Sequence, residues 1–231
     1  MNERIMIDTP DGSFGAYVAK PTATPAPAIV VIQEIFGINA DLRETCDQLA
    51  EQGFIAICPD LFWRMQPGVE LTDQSEEEWK QAMAFYKAFD VEKGVEDIGA
   101  ALKTARGYKG ANGKVGVMGF CLGGLMTFLT AARKDPDAAA AYYGGGTDQH
   151  VAEMKSVSCP MIMHLGEEDE YIPAPAREKI VKVAESQPNI TVYTYAGQNH
   201  AFARHRGVHY DAASAKQANQ RTYDFFKKHL R

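Results

Sequence analysis

The stretch 114–133, KVGVMGFCLGGLMTFLTAAR, constrains the fold more tightly than any other part of the chain. It opens as an unbroken apolar run over 115–118, the pattern of a strand buried on both faces. It turns within Gly119-Phe120-Cys121-Leu122-Gly123 and continues as a helix carrying Leu125, Met126, Phe128, Leu129 and Ala132. A strand that turns so sharply into a helix brings the corner against its neighbours, and glycine at 119 and 123 removes the Cβ atoms that would collide there. The spacing is Gly-x-Cys-x-Gly, the cysteine form of a nucleophile elbow. A side chain on that corner sits at a helix N-terminus, where free N–H groups and the dipole favour a thiolate or an oxyanion. The competing reading is a buried structural cysteine beside a glycine-rich turn.

The rest of the chain alternates around this unit. Residues 4–8 and 14–20 read as two strands joined by Thr9-Pro10-Asp11-Gly12, an antiparallel hairpin at one edge. A connector at 21–27 leads to a strand over 28–33, and Asp41 is expected to cap a helix over 42–52 that Gly53 ends. A strand follows at 54–58, then an aromatic-bearing loop at 61–68 whose Phe62 and Trp63 could fill core or wall a pocket. Helices are expected over 75–89 and 91–108, strands over 138–143, 161–165 and 190–195, and helices over 177–186 and 211–229. This order predicts an α/β fold: a mostly parallel central sheet with helices on both faces, as one domain spanning 1–231.

Three residues that could carry chemistry each follow a strand: Cys121, then Asp169 in Gly166-x-x-Asp-x-x-Ile-Pro, then His200 in Gly197-x-x-His. Strands of one parallel sheet end on one edge, so the three can converge although far apart in the chain. Nucleophile, acid and histidine occur in the order of an α/β-hydrolase triad. Glu167, Glu168 and Glu170 compete with Asp169 but lack its spacing. His164 lies inside a strand run and reads as a core histidine. Glu34 ends a central apolar strand, where a charge is costly unless paired or working. It is either bonded to backbone N–H groups or placed beside Cys121 to take or hold the thiol proton. The backbone amides of Leu122 and Ile35 are the expected oxyanion donors.

Charge and composition exclude other classes. A net charge of −6 across 231 residues leaves no basic footprint for nucleic acid. No apolar run approaches the length of a membrane span. Cysteines 46, 58, 121 and 159 show no CxxC or Cys/His cluster. With a charged N-terminus, they point to a reduced, cytoplasmic protein. The histidines show no ligand spacing, so no metal or other cofactor is expected. The glycines at 144–146 lack any phosphate-loop pattern. A monomer or weak homodimer is the expected assembly.

These residues resemble the dienelactone hydrolase family of α/β-hydrolases over nearly the whole chain. The likeness is carried by Gln33-Glu34-Ile35-Phe36-Gly37, Gly119-Phe120-Cys121-Leu122-Gly123-Gly124, the loop 166–173 and His200-Ala201-Phe202-Ala203-Arg204. The resemblance implies opening of an enol-lactone, dienelactone to maleylacetate, with Cys121 as nucleophile, His200 as base and Asp169 orienting it. It implies further that Glu34 helps form the thiolate and that Arg204 binds the substrate carboxylate. Phe36, Trp79 and Lys80 complete the candidate substrate-binding set. The family's second arginine is missing: the helix reads Glu76-Glu77-Glu78-Trp79-Lys80-Gln81, with Trp79 at about its place and Lys80 beside it. Lysine is no equivalent of a bidentate carboxylate clamp. Two other readings stay open: a general carboxylesterase or thioesterase of the same fold, and a non-enzymatic thiol-based ligand-binding or redox-sensing protein.

Overall fold

A computed structural model describes residues 2–231. Eight strands form one sheet in the order β1-β2-β4-β3-β5-β6-β7-β8. In chain order they are β1 (Asn2–Thr9), β2 (Gly12–Ala19), β3 (Ala26–Ile32), β4 (Ile55–Pro59), β5 (Ala111–Phe120), β6 (Ala138–Tyr142), β7 (Met161–Gly166) and β8 (Ile190–Tyr195). Antiparallel pairing is confined to the edge, where β1 pairs β2 and β2 pairs β4; from β4 to β8 the sheet is parallel. The expected hairpin and parallel sheet are both present, which gives the α/β-hydrolase architecture.

The helices are α1 (Ala40–Glu51), α2 (Glu76–Ala88), α3 (Val91–Arg106), α4 (Leu122–Arg133), α5 (Ala174–Ala184) and α6 (Ala212–Leu230). Two glycines of β5 show how they cover both faces. A Cβ on Gly116 would meet Phe226 of α6 at 2.8 Å, whereas one on Gly119 would meet the Gly123 carbonyl of α4 at 2.4 Å. Positions 116 and 119 point to opposite faces because side chains alternate along a strand. So α6 lies on one side of the central strand and α4 on the other. Among the described residues no helix is long and apolar enough to cross a membrane.

The topology also places a crevice. From β3 the chain moves outward through α1 to β4, then returns across β3 through α2 and α3 to β5. The strand order reverses between β3 and β5, and in open α/β sheets ligands bind beyond the strand ends at such a point.

Several local expectations are corrected. The N-cap of α1 is Asn39, not Asp41: Asn39 accepts from the Leu42 amide at 3.1 Å while its own amide donates to the Leu71 carbonyl at 2.9 Å. Pro27 lies inside β3 rather than in the connector, and α5 begins at Ala174, earlier than 177. Two 3-10 turns, Thr147–Gln149 and Val151–Ser156, were not anticipated. The aromatic loop fills core rather than walling a pocket: Phe62 stacks on Phe85 with ring centroids 5.1 Å apart, and Trp63 stacks on Phe14 at 5.5 Å. The indole N–H of Trp63 donates to buried Asp97 at 2.8 Å.

Candidate active site

Cys121 stands between β5 and α4 with φ 55° and ψ −117°. A left-handed φ in a non-glycine residue is strained and persists only where its surroundings hold it. Here the Cys121 amide is tied to the Tyr142 carbonyl at 3.1 Å and the Cys121 carbonyl accepts from Gly124 at 2.9 Å. The corner has no spare room. A Cβ at Gly123 would lie 2.5 Å from the Ile32 carbonyl, and one at Gly124 would lie 2.2 Å from the Tyr142 carbonyl. The predicted glycines 119 and 123 are thus required by contact, and Gly124 joins them.

Asp169 and His200 leave the ends of β7 and β8. Their loops are laced together: the Glu168 amide donates to the Gln198 carbonyl at 2.9 Å, and a Cβ at Gly166 would strike that carbonyl at 2.4 Å. Asp169 accepts from the Tyr171 amide at 2.8 Å through one oxygen and meets His200 Nδ1 at 2.8 Å through the other. With Nδ1 donating to the carboxylate, the other ring nitrogen is left free to serve the thiol. The imidazole is packed edge-on between Tyr143 and Tyr171, with centroids 5.2 and 4.8 Å away. Burial alone would lower its pKa, but the adjacent Cys121 sulfur and the Asp169 carboxylate outweigh it and hold His200 up to about 10.

Glu34 lies in the loop after β3 and is buried. It bonds neither to backbone amides nor, in this structure, to the thiol. Its Oε2 accepts from Arg204 Nη1 at 2.9 Å and its Oε1 has no partner. Burial pushes its carboxyl pKa up, against the pull of Arg204. Ile35 and Leu122, both buried, flank Cys121 in the cleft. Among the described residues neither of their amides donates to a backbone carbonyl. Amides beside a nucleophile and without internal acceptors are what an oxyanion hole requires.

The cleft over Cys121 has a cavity volume of about 70 Å³. Cys121, His200 and Arg204 line it, together with Ile35, Phe36, Trp79, Met83, Tyr86, Leu122, Gly145 and Tyr171. Trp79, Met83 and Tyr86 form one stripe of α2, as spacings of four and three residues require. Trp79 packs on Phe36 at 5.8 Å, and Arg204 lies 4.9 Å over the same ring. Lys80 is exposed and does not line the cleft. The structure therefore brings together Cys121, Asp169, His200, Ile35, Leu122, Phe36, Trp79 and Arg204, with Glu34 behind Arg204, and leaves Lys80 outside.

Sequence reasoning missed Met83, Tyr86, Gly145 and Tyr171. The first two were recoverable, since they share a helical face with Trp79. Gly145 and Tyr171 belong to loops after β6 and β7, whose approach to the elbow no local pattern encodes. His164 is fully buried among Tyr195 and Thr222. Among the described residues no group of three or more His, Cys, Asp or Glu side chains is placed to hold a metal ion.

Comparison with known proteins places this geometry. Residues 14–230 match the model of the dienelactone hydrolase family. The chain is 43% identical over 226 residues to a carboxymethylenebutenolidase of Pseudomonas putida, covering 97% of this chain and 96% of the relative. It is 39% identical to carboxymethylenebutenolidase 1 of Cupriavidus pinatubonensis, covering 92% and 91%. The dienelactone hydrolase of Anabaena variabilis superposes with a TM-score of 0.74 at 15% identity, covering 100% of this chain and 99% of that one. A dienelactone hydrolase-like promiscuous phosphotriesterase from metagenomic libraries does so at 0.80 and 19% identity, with the same coverage. At those identities the two structures speak for the fold alone.

Proposed function

Because the chain belongs to the dienelactone hydrolase family and is a hydrolase of carboxylic ester and lactone bonds, we propose that it opens enol-lactones and activated esters of the dienelactone type with Cys121 as nucleophile. The observation that carries the reading is the strained Cys121 corner facing a His200–Asp169 pair closed at 2.8 Å. Nucleophile, base and orienting group in that relation are the elements of covalent acyl transfer.

The ionisation of His200 suggests how the proton moves. His200 is held up to about 10 beside the Cys121 sulfur and the Asp169 carboxylate, so the imidazole is the place for the thiol proton, and the attacking pair is imidazolium with thiolate. The sulfur attacks the carbonyl carbon, and the amides of Ile35 and Leu122 receive the oxyanion. The ring C–O bond breaks, and the departing enolate takes the His200 proton before it ketonises. The thioester sulfur no longer carries charge, so the largest influence raising His200 is gone, while burial still lowers it. The now neutral imidazole, aimed by Asp169, takes a proton from water as the water oxygen attacks the thioester. Thiolate leaves, and the imidazolium–thiolate pair is restored. A thiolate is also a good leaving group, so a tetrahedral intermediate that carries a poorer one, such as an amine, collapses by losing the thiolate and returns to substrate. That favours enol-lactones and activated esters over peptides.

Arg204 is the candidate anchor for a substrate carboxylate, and Glu34 is the group that gives way. An anion engaging Arg204 competes with Glu34 for Nη1, and the freed carboxylate then assists thiolate formation. His200 and Glu34 already feel each other's charge.

Cys121→Ala tests the assignment. Turnover of a dienelactone should fall by about six orders of magnitude, the scale on which removing a triad nucleophile acts. Near-normal hydrolysis by that variant would refute it.

A further inference from the structure

The charge of the preferred substrate turns on a residue that no sequence motif singles out. Apart from His200, Arg204 is the basic side chain lining the cleft among the described residues. Its guanidinium is engaged on several sides: Nη1 donates to Glu34 at 2.9 Å and Nη2 donates to Asp73 at 2.8 Å. Nε has no partner and packs over Gly207, where a Cβ would fall 2.6 Å from it. One face lies over Phe36 at 4.9 Å. The side chains of Arg204, Glu34 and Asp73 are 9%, 8% and 5% exposed. One buried guanidinium thus faces two buried carboxylates, and a substrate carboxylate would arrive as the third anion.

Asp73 is built into this position. The oxygen that meets Arg204 also accepts from the Val208 amide at 3.0 Å. The other oxygen accepts from Gln74 Nε2 at 2.6 Å, and the same amide nitrogen donates to the Arg206 carbonyl at 2.9 Å. Residues 72–74 are therefore stitched to the loop 204–208. They are also tied to α2, because the Thr72 amide donates to Glu78 at 2.8 Å, and α2 carries Trp79 into the cleft. The remaining walls do not replace the lost attraction for an anion. Lys80 is exposed outside the cleft, and Ile35, Phe36, Trp79, Met83 and Tyr86 are apolar or aromatic. Like charges in a site disfavour a ligand of the same sign, most strongly where water is excluded.

We propose that Asp73 is a specificity-determining residue: by holding Arg204 jointly with Glu34, it weakens the hold of Arg204 on a substrate carboxylate and so narrows the advantage of carboxylate-bearing esters and lactones over uncharged ones. The inference rests on the reading of the Cys121 cleft as the acyl-transfer site. An asparagine at 73 keeps the size and an acceptor oxygen for Arg204 and Val208, removes the charge, and gives up besides it only the exposed bond from Gln74 Nε2.

The experiment compares p-nitrophenyl hemisuccinate with p-nitrophenyl butyrate, acyl chains of equal length that differ by a terminal carboxylate. The readout is the ratio of their kcat/KM values in wild type, Asp73→Asn and Asp73→Glu, with Cys121→Ala in parallel. In Asp73→Asn the anionic-to-uncharged ratio should rise about tenfold, mostly through KM for the hemisuccinate. In Asp73→Glu, which restores the charge, it should stay within about threefold of wild type. A ratio unmoved by Asp73→Asn, including a parallel loss on both substrates, would overturn the proposal and leave Asp73 a purely structural tie. Failure of the underlying reading looks different: Cys121→Ala would then keep its turnover, and the proposal would fall with it. If neither ester is turned over, the same ratio is read as Kd for hemisuccinate methyl ester and dimethyl succinate by calorimetry. It should move by the same factor on Asp73→Asn, and an unmoved ratio again overturns the proposal.

Discussion

His164 and His200 stand at the carboxyl side of the same sheet, one within β7 and the other just beyond β8. They are 0% and 7% exposed, so both have lost nearly all their water. Each is packed against tyrosines, Tyr142 and Tyr195 for the first, Tyr143 and Tyr171 for the second. Yet they ionise in opposite directions. Burial drives His164 down to about 3, with the charge of Arg221 adding to it; its ring nitrogens meet only the hydroxyls of Tyr195 and Thr222, at 2.8 and 3.0 Å. His200 suffers the same desolvation but is held up to about 10 by Cys121 and Asp169. Burial therefore does not decide whether a histidine is neutral in this protein. The sign of what it touches does, because desolvation penalises a charge while an adjacent opposite charge gains strength in the same dry surroundings.

That contrast can be broken most severely at Cys121. In Cys121→Ala the largest influence raising His200 is removed, so its imidazole midpoint, followed by NMR, should move down by several pH units toward the behaviour of His164. A midpoint still near 10 would mean that Asp169 alone sustains the charge. Next comes Asp169→Asn, expected to lower kcat/KM by about two to four orders of magnitude, the cost of a disoriented histidine. The sign of its pH effect follows from the direction of the shift. His200 is raised, so its charged form is complete below its ordinary pKa and is lost as pH rises through about 10. Removing a carboxylate that raises it must move the alkaline limb of the kcat/KM profile to lower pH. A limb that stayed in place would assign it to another group. The smallest expected effect lies at the neutral histidine. Tyr195→Phe strips His164 of a buried partner and Arg221 of another. It should cost about 1–2 kcal/mol in chemical denaturation with kcat/KM within about twofold of wild type. A larger kinetic loss would tie the His164 side of the sheet to the cleft.

Much of this was legible along the chain. The apolar run of β3 reads as a doubly buried strand, and the structure buries all of Ala26–Ile32. The elbow is legible because its glycines answer to contacts within a few residues and to the adjacent strand. Less legible were choices between equivalent neighbours. Asn39 and Asp41 are both good helix caps; Asn39 takes the role because Leu71, far along the chain, binds its side chain, while Asp41 is drawn off to His205 and the Arg206 amide. Trp63 and Trp79 illustrate the same limit. Each follows a loop or opens a helix near a strand end, but one lies over Phe14 in the core and the other over Phe36 at the cleft.

The sequence by itself determined the strand–helix alternation, the strained corner at Cys121, and the order in which Cys121, Asp169 and His200 emerge at strand ends. Periodicity and glycine spacing act over a handful of residues, so they can be read one segment at a time. It also flagged Glu34 as a charge in need of a partner. Only the tertiary structure decided that the partner is Arg204, that Asp73 shares it, and that Lys80 stays outside. Glu34 and Arg204 are 170 residues apart and Asp73 is 131 from Arg204, yet an ion pair acts over about 3–4 Å. Which charges meet, and what they do to one another's protons, depends on distances that exist only once the chain has closed.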